Sequence, residues 1–426
     1  MIGAAVLLLY NLLLPLVFLL GFPGWLIKML KRGGYGTGLL ERFAWYDESV
    51  EYEPAGVVYV HAVSVGEVMI ALKLIHQWQA DYPQDRFVLA PTTTTGLLVA
   101  KEKAPVGVRV VYSPLDFRWV LQRVFKRFEP KQIVLIEAEA WPNMLGVAKR
   151  MGVPVGLANA RLSSRSERRY KKFSGFVEPM FGMIDQACVQ ERADLNRWAS
   201  VGIRRDRIEV TGSIKFDQLG AAGPQRRGEF QRMLDVFGEG RKVVMAISTH
   251  AGEEAYIGGV VQNLGEEVLY VAVPRHAERR QEVARSLKSL GYEVVLRSAF
   301  HGPRESDEAC LIVDSTGELR DWTAHADVVV VGKSLLGEGG QNPTEAIAAG
   351  VPVVAGPSMG NFEPLVSMLR DAGGIAIVRD EGELLSALRR CLEGGVEVAK
   401  QCGAALEVLH VHQGAAARTV EILRKD

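Results

Sequence analysis

Cysteine is scarce in this chain, with four in 426 residues. Cys188, Cys310, Cys391 and Cys402 lie far apart and form no CxxC pair. That excludes a disulfide framework and a paired-cysteine zinc site, and fits reduced thiols in a cytosolic compartment. No HExxH occurs either, so no metal site is legible. An excess of charge of one sign is also missing: 50 Lys and Arg balance 50 Asp and Glu. No global field therefore draws nucleic acid, and an anionic ligand must be held by local groups. Neither GxxxxGK[ST] nor a GxGxxG after a strand is present, which leaves a P-loop NTPase and a dinucleotide dehydrogenase without support. No internal repeat and no low-complexity tract stands out. What remains is ordinary globular usage, 48% hydrophobic and 23% charged, which rules out a disordered chain. The length exceeds what one core sustains and suffices for two domains plus an appendage.

One apolar run departs from this average. Ile2 to Ile27 is almost wholly apolar, interrupted by Asn11, Pro15 and Pro23, and is followed at once by Lys28, Lys31 and Arg32. A membrane span needs roughly 20 apolar residues. The basic cluster on its C-terminal side keeps the following domain in the cytoplasm. A cleaved signal peptide would carry basic residues before the run, and none is there. The prolines leave a re-entrant or interfacial helix as the alternative. Gly33 to Gly38 then reads as a flexible exit from the membrane.

Two stretches of alternating strands and helices follow. Strand candidates in the first are Val57–His61, Phe87–Ala90, Val108–Tyr112, Ile133–Ile136 and Val153–Ala158. In the second they are Val243–Ile247, Leu269–Val273, Glu293–Leu296, Leu311–Val313, Val328–Val331, Val353–Ala355 and Ile375–Val378. Such alternation predicts parallel sheets covered on both faces, joined by right-handed crossovers. Gln218 to Gly228, rich in Gly and Ala without periodicity, reads as the linker region. A last helical pattern, from about Gly403 to Leu423, follows the final strand and could cross back to the first domain. The expected division is an anchor at 1–33, a first Rossmann-like domain at 34–212, a second at 213–402 and a terminal helix at 403–426.

The chemistry-bearing residues gather where strands hand over to helices, the crevice position of open α/β sheets. Glu67 follows Val57–His61, and apolar residues at Val68, Ala71, Leu72, Ile75 and Trp78 carry helical spacing. A carboxylate there is either a helix-end charge or a general base aimed at a hydroxyl. Glu137 and Glu139 end another strand, where two carboxylates can divide labour; a polar loop with Asn143 as helix cap is the simpler alternative. In the second half, Val273-Pro274-Arg275-His276 closes a strand and opens a helix, so a cation and a helix N-terminus meet there and suit a phosphate. Gly339-Gly340-Gln341-Asn342-Pro343-Thr344-Glu345 reads as a glycine turn and a helix with Asn cap and Pro at N1. Its glycines let backbone N–H groups approach phosphate oxygens. Glu345 could accept two ribose hydroxyls, although Glu is also favoured in any first helical turn. Lys215 falls near the domain junction, where a lone lysine is usually a solvated surface residue.

Taken in order, the segments His61–Glu67, Glu137–Asn143, Asn159–Ser163, Thr211–Lys215, Ser248–His250, Pro274–His276 and Gly339–Glu345 resemble the 3-deoxy-D-manno-octulosonic acid (Kdo) transferases of lipid A biosynthesis. Each segment alone is weak; the ordered set, running from the apolar helix to the last helix, is specific. The resemblance implies a GT-B fold, two Rossmann-like domains with parallel sheets plus an N-terminal membrane anchor helix. It implies inverting transfer of Kdo from CMP-Kdo to a lipid A precursor (lipid IVA), with no metal and no cofactor. It places the enzyme on the cytoplasmic face of the cell inner membrane, with membrane lipid as a partner and no nucleic acid. By the same resemblance Glu67 falls on the general base, and Glu137 and Lys215 on transition-state support. Pro274 and Arg275, Thr316-Gly317-Glu318, the turn Gly339-Gly340, and Asn342-Pro343-Thr344-Glu345 fall on the CMP-contacting segments. The chain departs from the pattern at Lys333, where a second glycine is usual. It departs again at Ala44, where glycine usually follows the Arg-aromatic pair Arg42-Phe43, and at Ala138 and Ala140, which replace larger residues. Two rival readings carry different expectations. A nucleotide-sugar epimerase, or another enzyme on the same two-domain fold, would need no membrane segment. A non-catalytic, membrane-tethered nucleotide-sugar sensor would need no base facing an acceptor.

Overall fold

The computed structural model describes residues 2–32, 38, 40–46, 56–217, 223–300 and 309–424. Residues 33–37 of the expected exit segment and 218–222 of the expected linker lie outside the described residues. The chain divides into two compact units, one of Met1–Leu219 with His412–Asp426 and one of Gly220–Val411. Lys215 therefore counts with the first unit.

The first unit is built on β1 (Val58–Ala62), β2 (Phe87–Pro91), β3 (Val108–Val110), β4 (Gln132–Ile136), β5 (Val155–Ala160), β6 (Gln186–Val189) and β7 (Ile208–Val210). They form one sheet in the order β3-β2-β1-β4-β5-β6-β7, every pair parallel. All five residues of β1 are buried, as both-face coverage requires. Alternation divides them: Tyr59 enters one core, while Val58, Val60 and Ala62 enter the other. The closing helix Ala415–Leu423 belongs to this second core through Ala415, Ala416, Val420 and Leu423. Its start is held by Asp217, whose carboxylate accepts from the N–H of Gly414 at 2.9 Å and of Ala416 at 2.8 Å.

The second unit carries β8 (Lys242–Thr249), β9 (Val268–Pro274), β10 (Glu293–Leu296), β11 (Ala309–Ile312), β12 (Val328–Val331), β13 (Val353–Ala355) and β14 (Ala376–Ile377). Its sheet runs β10-β11-β9-β8-β12-β13-β14 and is also wholly parallel. In each unit the chain reverses its direction of travel across the sheet once, between β1 and β4 and between β8 and β12. Those switch points are where such sheets open a ligand crevice beyond the strand ends.

The apolar run forms one helix, Ile2–Arg32, with Pro15 and Pro23 inside it. Its stretch Leu7–Gly24 is long and apolar enough to cross a membrane. A single stripe meets the first unit. Leu7 lies over Gly146, Tyr10 packs beside Phe176, and Phe18 stands edge-on to Phe43 and Phe117. The spacing 7, 10, 18 is helical periodicity. The opposite face, Leu8, Leu9, Leu12, Leu13, Leu16, Val17, Leu19 and Leu20, is exposed.

Candidate functional site: two crevices at the switch points

In the first unit, β1 ends at Ala62 and the helix Val65–Asp81 begins behind the N-cap Ser64. Glu67 is the third residue of that helix and closes a capping box with Ser64. Its Oε2 accepts from the Val63 N–H at 2.7 Å. Its Oε1 accepts from the Ser64 N–H at 3.3 Å and the Ser64 hydroxyl at 2.9 Å. The helix-end role read from sequence is thus real. It does not exhaust the group, since a carboxylate offers about four acceptor sites. Burial lifts the Glu67 carboxyl above its ordinary range; the bonds from Val63 and Ser64 pull it down, and Glu139 pushes it up.

Glu137 follows β4 directly, with φ +61 and its N–H donated to Ala158 O at 2.9 Å. Its carboxyl is raised by burial and by Glu67, against the cations of Arg161 and Lys215. Lys215 is lowered by burial, while Glu137 raises it and Arg161 lowers it. The structure therefore brings Glu67, Glu137 and Lys215 into one electrostatic cluster. It keeps Glu139 beside them, as the paired carboxylates implied, and adds Arg161, for which no role was read from sequence.

The turn that carries Lys215 is held by residues that no local pattern signals. Lys73 Nζ donates to the carbonyls of Ile214, Lys215 and Asp217 at 3.4, 3.1 and 3.2 Å. Asn159 Oδ1 accepts from the Ile214 N–H at 2.8 Å. His412 Nδ1 accepts from the Ser213 N–H at 3.1 Å, which requires an unprotonated ring nitrogen; burial pushes that imidazole down to about 4. His61 lies fully buried beneath the acidic loop, with Nδ1 3.0 Å from the Ser113 hydroxyl and its ring 4.9 Å from that of Trp141. One expectation is corrected here. Asn143 does not cap the helix Pro142–Met151. Trp141 occupies the N-cap and Pro142 follows it, while Asp116, from a separate loop, accepts the first N–H groups at 3.0 and 2.9 Å.

In the second unit the loops after β8 and β12 meet. The Arg275 N–H donates to Thr249 O at 3.1 Å, and the rings of His250 and His276 stand 6.1 Å apart. Gln341 Nε2 lies 3.1 Å from His250 Nε2. Pro274 ends β9, paired in register with Thr249. Gly332 must be glycine, because a Cβ there would come within 2.5 Å of Ser248 O. Lys333 adopts φ +56, the left-handed region in which glycine is at ease. Gly340 donates its N–H to Lys333 O at 3.0 Å, tying the glycine turn to this loop. Glu253 was not singled out from sequence. It is fully buried and accepts from the N–H groups of His250, Lys333, Leu335 and Leu336 at 2.9, 2.6, 3.2 and 3.4 Å.

Glu345 lies on the helix Thr344–Ala348. Its carboxyl is raised by burial and lowered by Arg320 and Arg275, so Arg275 and Glu345 share one environment. Its Oε2 is buried without a hydrogen-bond partner. Asn342 Oδ1 accepts from the Thr344 N–H at 3.1 Å and its hydroxyl at 2.9 Å. That is the capping bond expected of Asn342, although Pro343 stands at the N-cap rather than at N1. Glu318 is engaged elsewhere, accepting from the Ser315 hydroxyl and from Arg297. Gly317, at φ +83, has open space where a side chain would be, and Thr316 precedes it on the same loop.

Two doubly wound units in one chain, each with a switch point in its sheet, define the GT-B fold. Comparison with known proteins gives the fold the same reading. A UDP-GlcNAc 2-epimerase from Neisseria meningitidis, solved bound to UDP-GlcNAc, aligns with 87% of this chain and all of its own at a TM-score of 0.56 and 14% identity. Residues 37–218 match the family model for the N-terminal part of 3-deoxy-D-manno-octulosonic-acid transferase. The Haemophilus influenzae 3-deoxy-D-manno-octulosonic acid transferase is 31% identical over 93% of this chain and 92% of its own length. The Bordetella pertussis enzyme is 30% identical over 96% of both. The chain belongs to the 3-deoxy-D-manno-octulosonic acid transferase family, and its function is Kdo transfer in lipopolysaccharide biosynthesis.

Proposed function

We propose that the chain catalyses inverting transfer of Kdo from CMP-Kdo to a hydroxyl of a lipid A precursor, on the cytoplasmic face of the inner membrane. The observation that carries this reading is the carboxylate cluster at the first switch point. There Glu67 keeps an acceptor site beyond its capping bonds, and burial raises its pKa. An acceptor hydroxyl is a very weak acid. Glu67 takes its proton as the oxygen attacks the anomeric carbon of Kdo. The bond from that carbon to the CMP phosphate oxygen breaks, and CMP leaves with the electron pair. A base whose pKa lies nearer the working pH is the more effective one. Glu137 and the cations Arg161 and Lys215 hold the local charge as the proton moves.

In the donor crevice, Arg275 and the backbone N–H groups of the Gly339-Gly340 turn suit the phosphate of the leaving group, where charge develops. The partnerless Glu345 Oε2 suits the ribose hydroxyls. Pro274, Thr316, Gly317, Asn342, Pro343 and Thr344 form the remaining CMP-contacting wall, with Glu318 shaping it through Ser315. The exposed leucine face of the N-terminal helix serves as the membrane anchor and keeps the enzyme beside an acceptor that stays in the bilayer.

The deciding experiment is Glu67→Gln, incubated with CMP-Kdo and tetra-acylated lipid A precursor, with product read by mass. Glutamine keeps one acceptor oxygen for the capping box. Transfer falls by about 10²–10⁴ while CMP affinity stays at the wild-type value. Near-normal turnover removes Glu67 from the base role.

A further inference from the structure

The acidic loop is short. Only residues 137–141 separate the end of β4 at Ile136 from the helix that starts at Pro142. Its two ends therefore decide where Glu137 and Glu139 stand. The sheet fixes one end, through the Glu137 N–H on Ala158 O. Asp116 fixes the other. This carboxylate is 7% exposed. Its Oδ2 accepts from the Asn143 N–H at 3.0 Å and its Oδ1 from the Met144 N–H at 2.9 Å. It thus satisfies two of the orphan donors of the helix N-terminus.

The third donor to Asp116 comes from the N-terminal helix, the Tyr10 hydroxyl at 2.9 Å. The next residue makes a second tie. Asn11 and Asn143 exchange amide bonds, Nδ2 to Oδ1 at 2.8 Å in one direction and 2.9 Å in the other. Asn143 Nδ2 also donates to Asp116 O at 2.6 Å. Phe18 stands edge-on to Phe117, the neighbour of Asp116, with ring centroids 5.5 Å apart. A helix that merely tethers needs none of this, because an asparagine amide in hydrocarbon is costly.

We propose that the node Tyr10–Asp116–Asn143–Asn11 makes the N-terminal helix a positioning element for catalysis, fixing the start of Pro142–Met151 and through it the acidic loop. The inference rests on the assignment of that loop to the transfer chemistry. Breaking the node leaves a buried partner unsatisfied and frees the first turn of the helix behind the carboxylates. Misplacement of reacting groups by about 1 Å costs on the order of 100-fold in rate.

The test uses the full chain in detergent, with CMP-Kdo and detergent-dispersed acceptor, so that attachment to a bilayer no longer limits turnover. The variants are Tyr10→Phe, Asn11→Ala, Asn143→Ala, the Asn11→Ala/Asn143→Ala pair, and Glu137→Gln in parallel. Folded enzyme is counted by CMP-binding sites. The node variants lose roughly 5- to 100-fold in kcat per folded molecule, with the KM for CMP-Kdo unchanged. The asparagine pair loses no more than about twofold beyond its worse single variant, as members of one interaction do. Wild-type kcat in detergent with weakened vesicle binding overturns the proposal and leaves the helix a tether. So does a loss of activity that only tracks a loss of folded molecules. If Glu137→Gln keeps full turnover while the node variants lose it, the node stands and the role of Glu137 falls. The reverse pattern sinks the node and leaves the site reading intact.

Discussion

The two units put a glutamate in the first turn of the equivalent helix, the one that follows the first strand of each sheet, and use it differently. Glu253 is wholly buried and accepts from four backbone N–H groups, all within the loops around β8 and β12. Glu67 accepts from two backbone N–H groups and one hydroxyl, and shares its surroundings with two further carboxylates and two cations. The first carboxylate is a rivet: its oxygens are saturated by the loops it shapes. The second closes a cap and still has capacity. Position at the head of a crevice helix does not by itself make a carboxylate catalytic. In the function proposed above, its unspent acceptor sites and charged neighbours do.

Two substitutions break this comparison most directly, and the larger effect is on rate. Glu67→Gln removes about 10²–10⁴ of turnover and costs about 1 kcal/mol of stability, because its one oxygen keeps the Val63 N–H while its amide nitrogen gives up the longer bond from the Ser64 N–H. Glu253→Gln behaves in the opposite way. Its amide turns two hydrogens toward N–H donors that need an acceptor. The loss is about 2–3 kcal/mol, read as a transition of the second unit lowered by roughly 5–10 °C, with CMP affinity falling alongside. If Glu253→Gln melts like the wild type, the rivet description is wrong. If Glu67→Gln melts far below it, the capping bonds dominate that residue too.

Backbone strain separates the units less sharply. Lys333 at φ +56 and Ala44 at φ +63 both occupy the left-handed region, where glycine is at ease. Left-handed backbone costs a residue with a side chain about 1–2 kcal/mol, while glycine gives back about 0.5–1 kcal/mol in unfolded-chain entropy. The difference favours glycine by about 0.5–1 kcal/mol. Lys333→Gly and Ala44→Gly should each raise the melting transition of their own unit by a few degrees. A lowered transition for Lys333→Gly would show that its side chain contributes more packing than its backbone loses.

The alternation of strands and helices was legible because apolar runs such as Val243–Ile247 and Val328–Val331 are buried on both faces. β6 and β7 escaped notice: each is only three or four residues long, and Glu209 and Val210 on β7 are exposed. Glu67 and Glu137 were also legible, since each follows a strand read from the sequence, whereas Lys215 entered only through the family resemblance because the strand before it escaped notice. The residues that hold them were not. Lys73 meets the Lys215 turn across 142 positions, and Asp116 reaches the helix Pro142–Met151 across 27. Asn143 looked like a cap because its residue type and place before an apolar run were right. A distant carboxylate took that role, and the asparagine turned to the N-terminal helix instead. Local pattern reports a strand end and its chemistry; it does not report which remote side chain completes an unsatisfied helix end.

The smallest expected effect tests how far the acidic cluster acts as one. Burial is the main force lifting the Glu67 carboxyl, and Glu139 adds to it by charge. A general base works ionised, so kcat/KM falls as pH drops through its pKa in the free enzyme. Replacing Glu139 by Gln removes a negative neighbour, which favours the ionised form of Glu67 and lowers its pKa. The acid limb of the kcat/KM profile should therefore move to lower pH, while the limb of the Asn143→Ala enzyme, which keeps all three carboxylates, stays nearer the wild-type position. A Glu139→Gln limb that stays in place or moves to higher pH would mean that the titrating group is not Glu67. The capping bonds would then describe the whole of that residue's work, as the loop bonds do for Glu253.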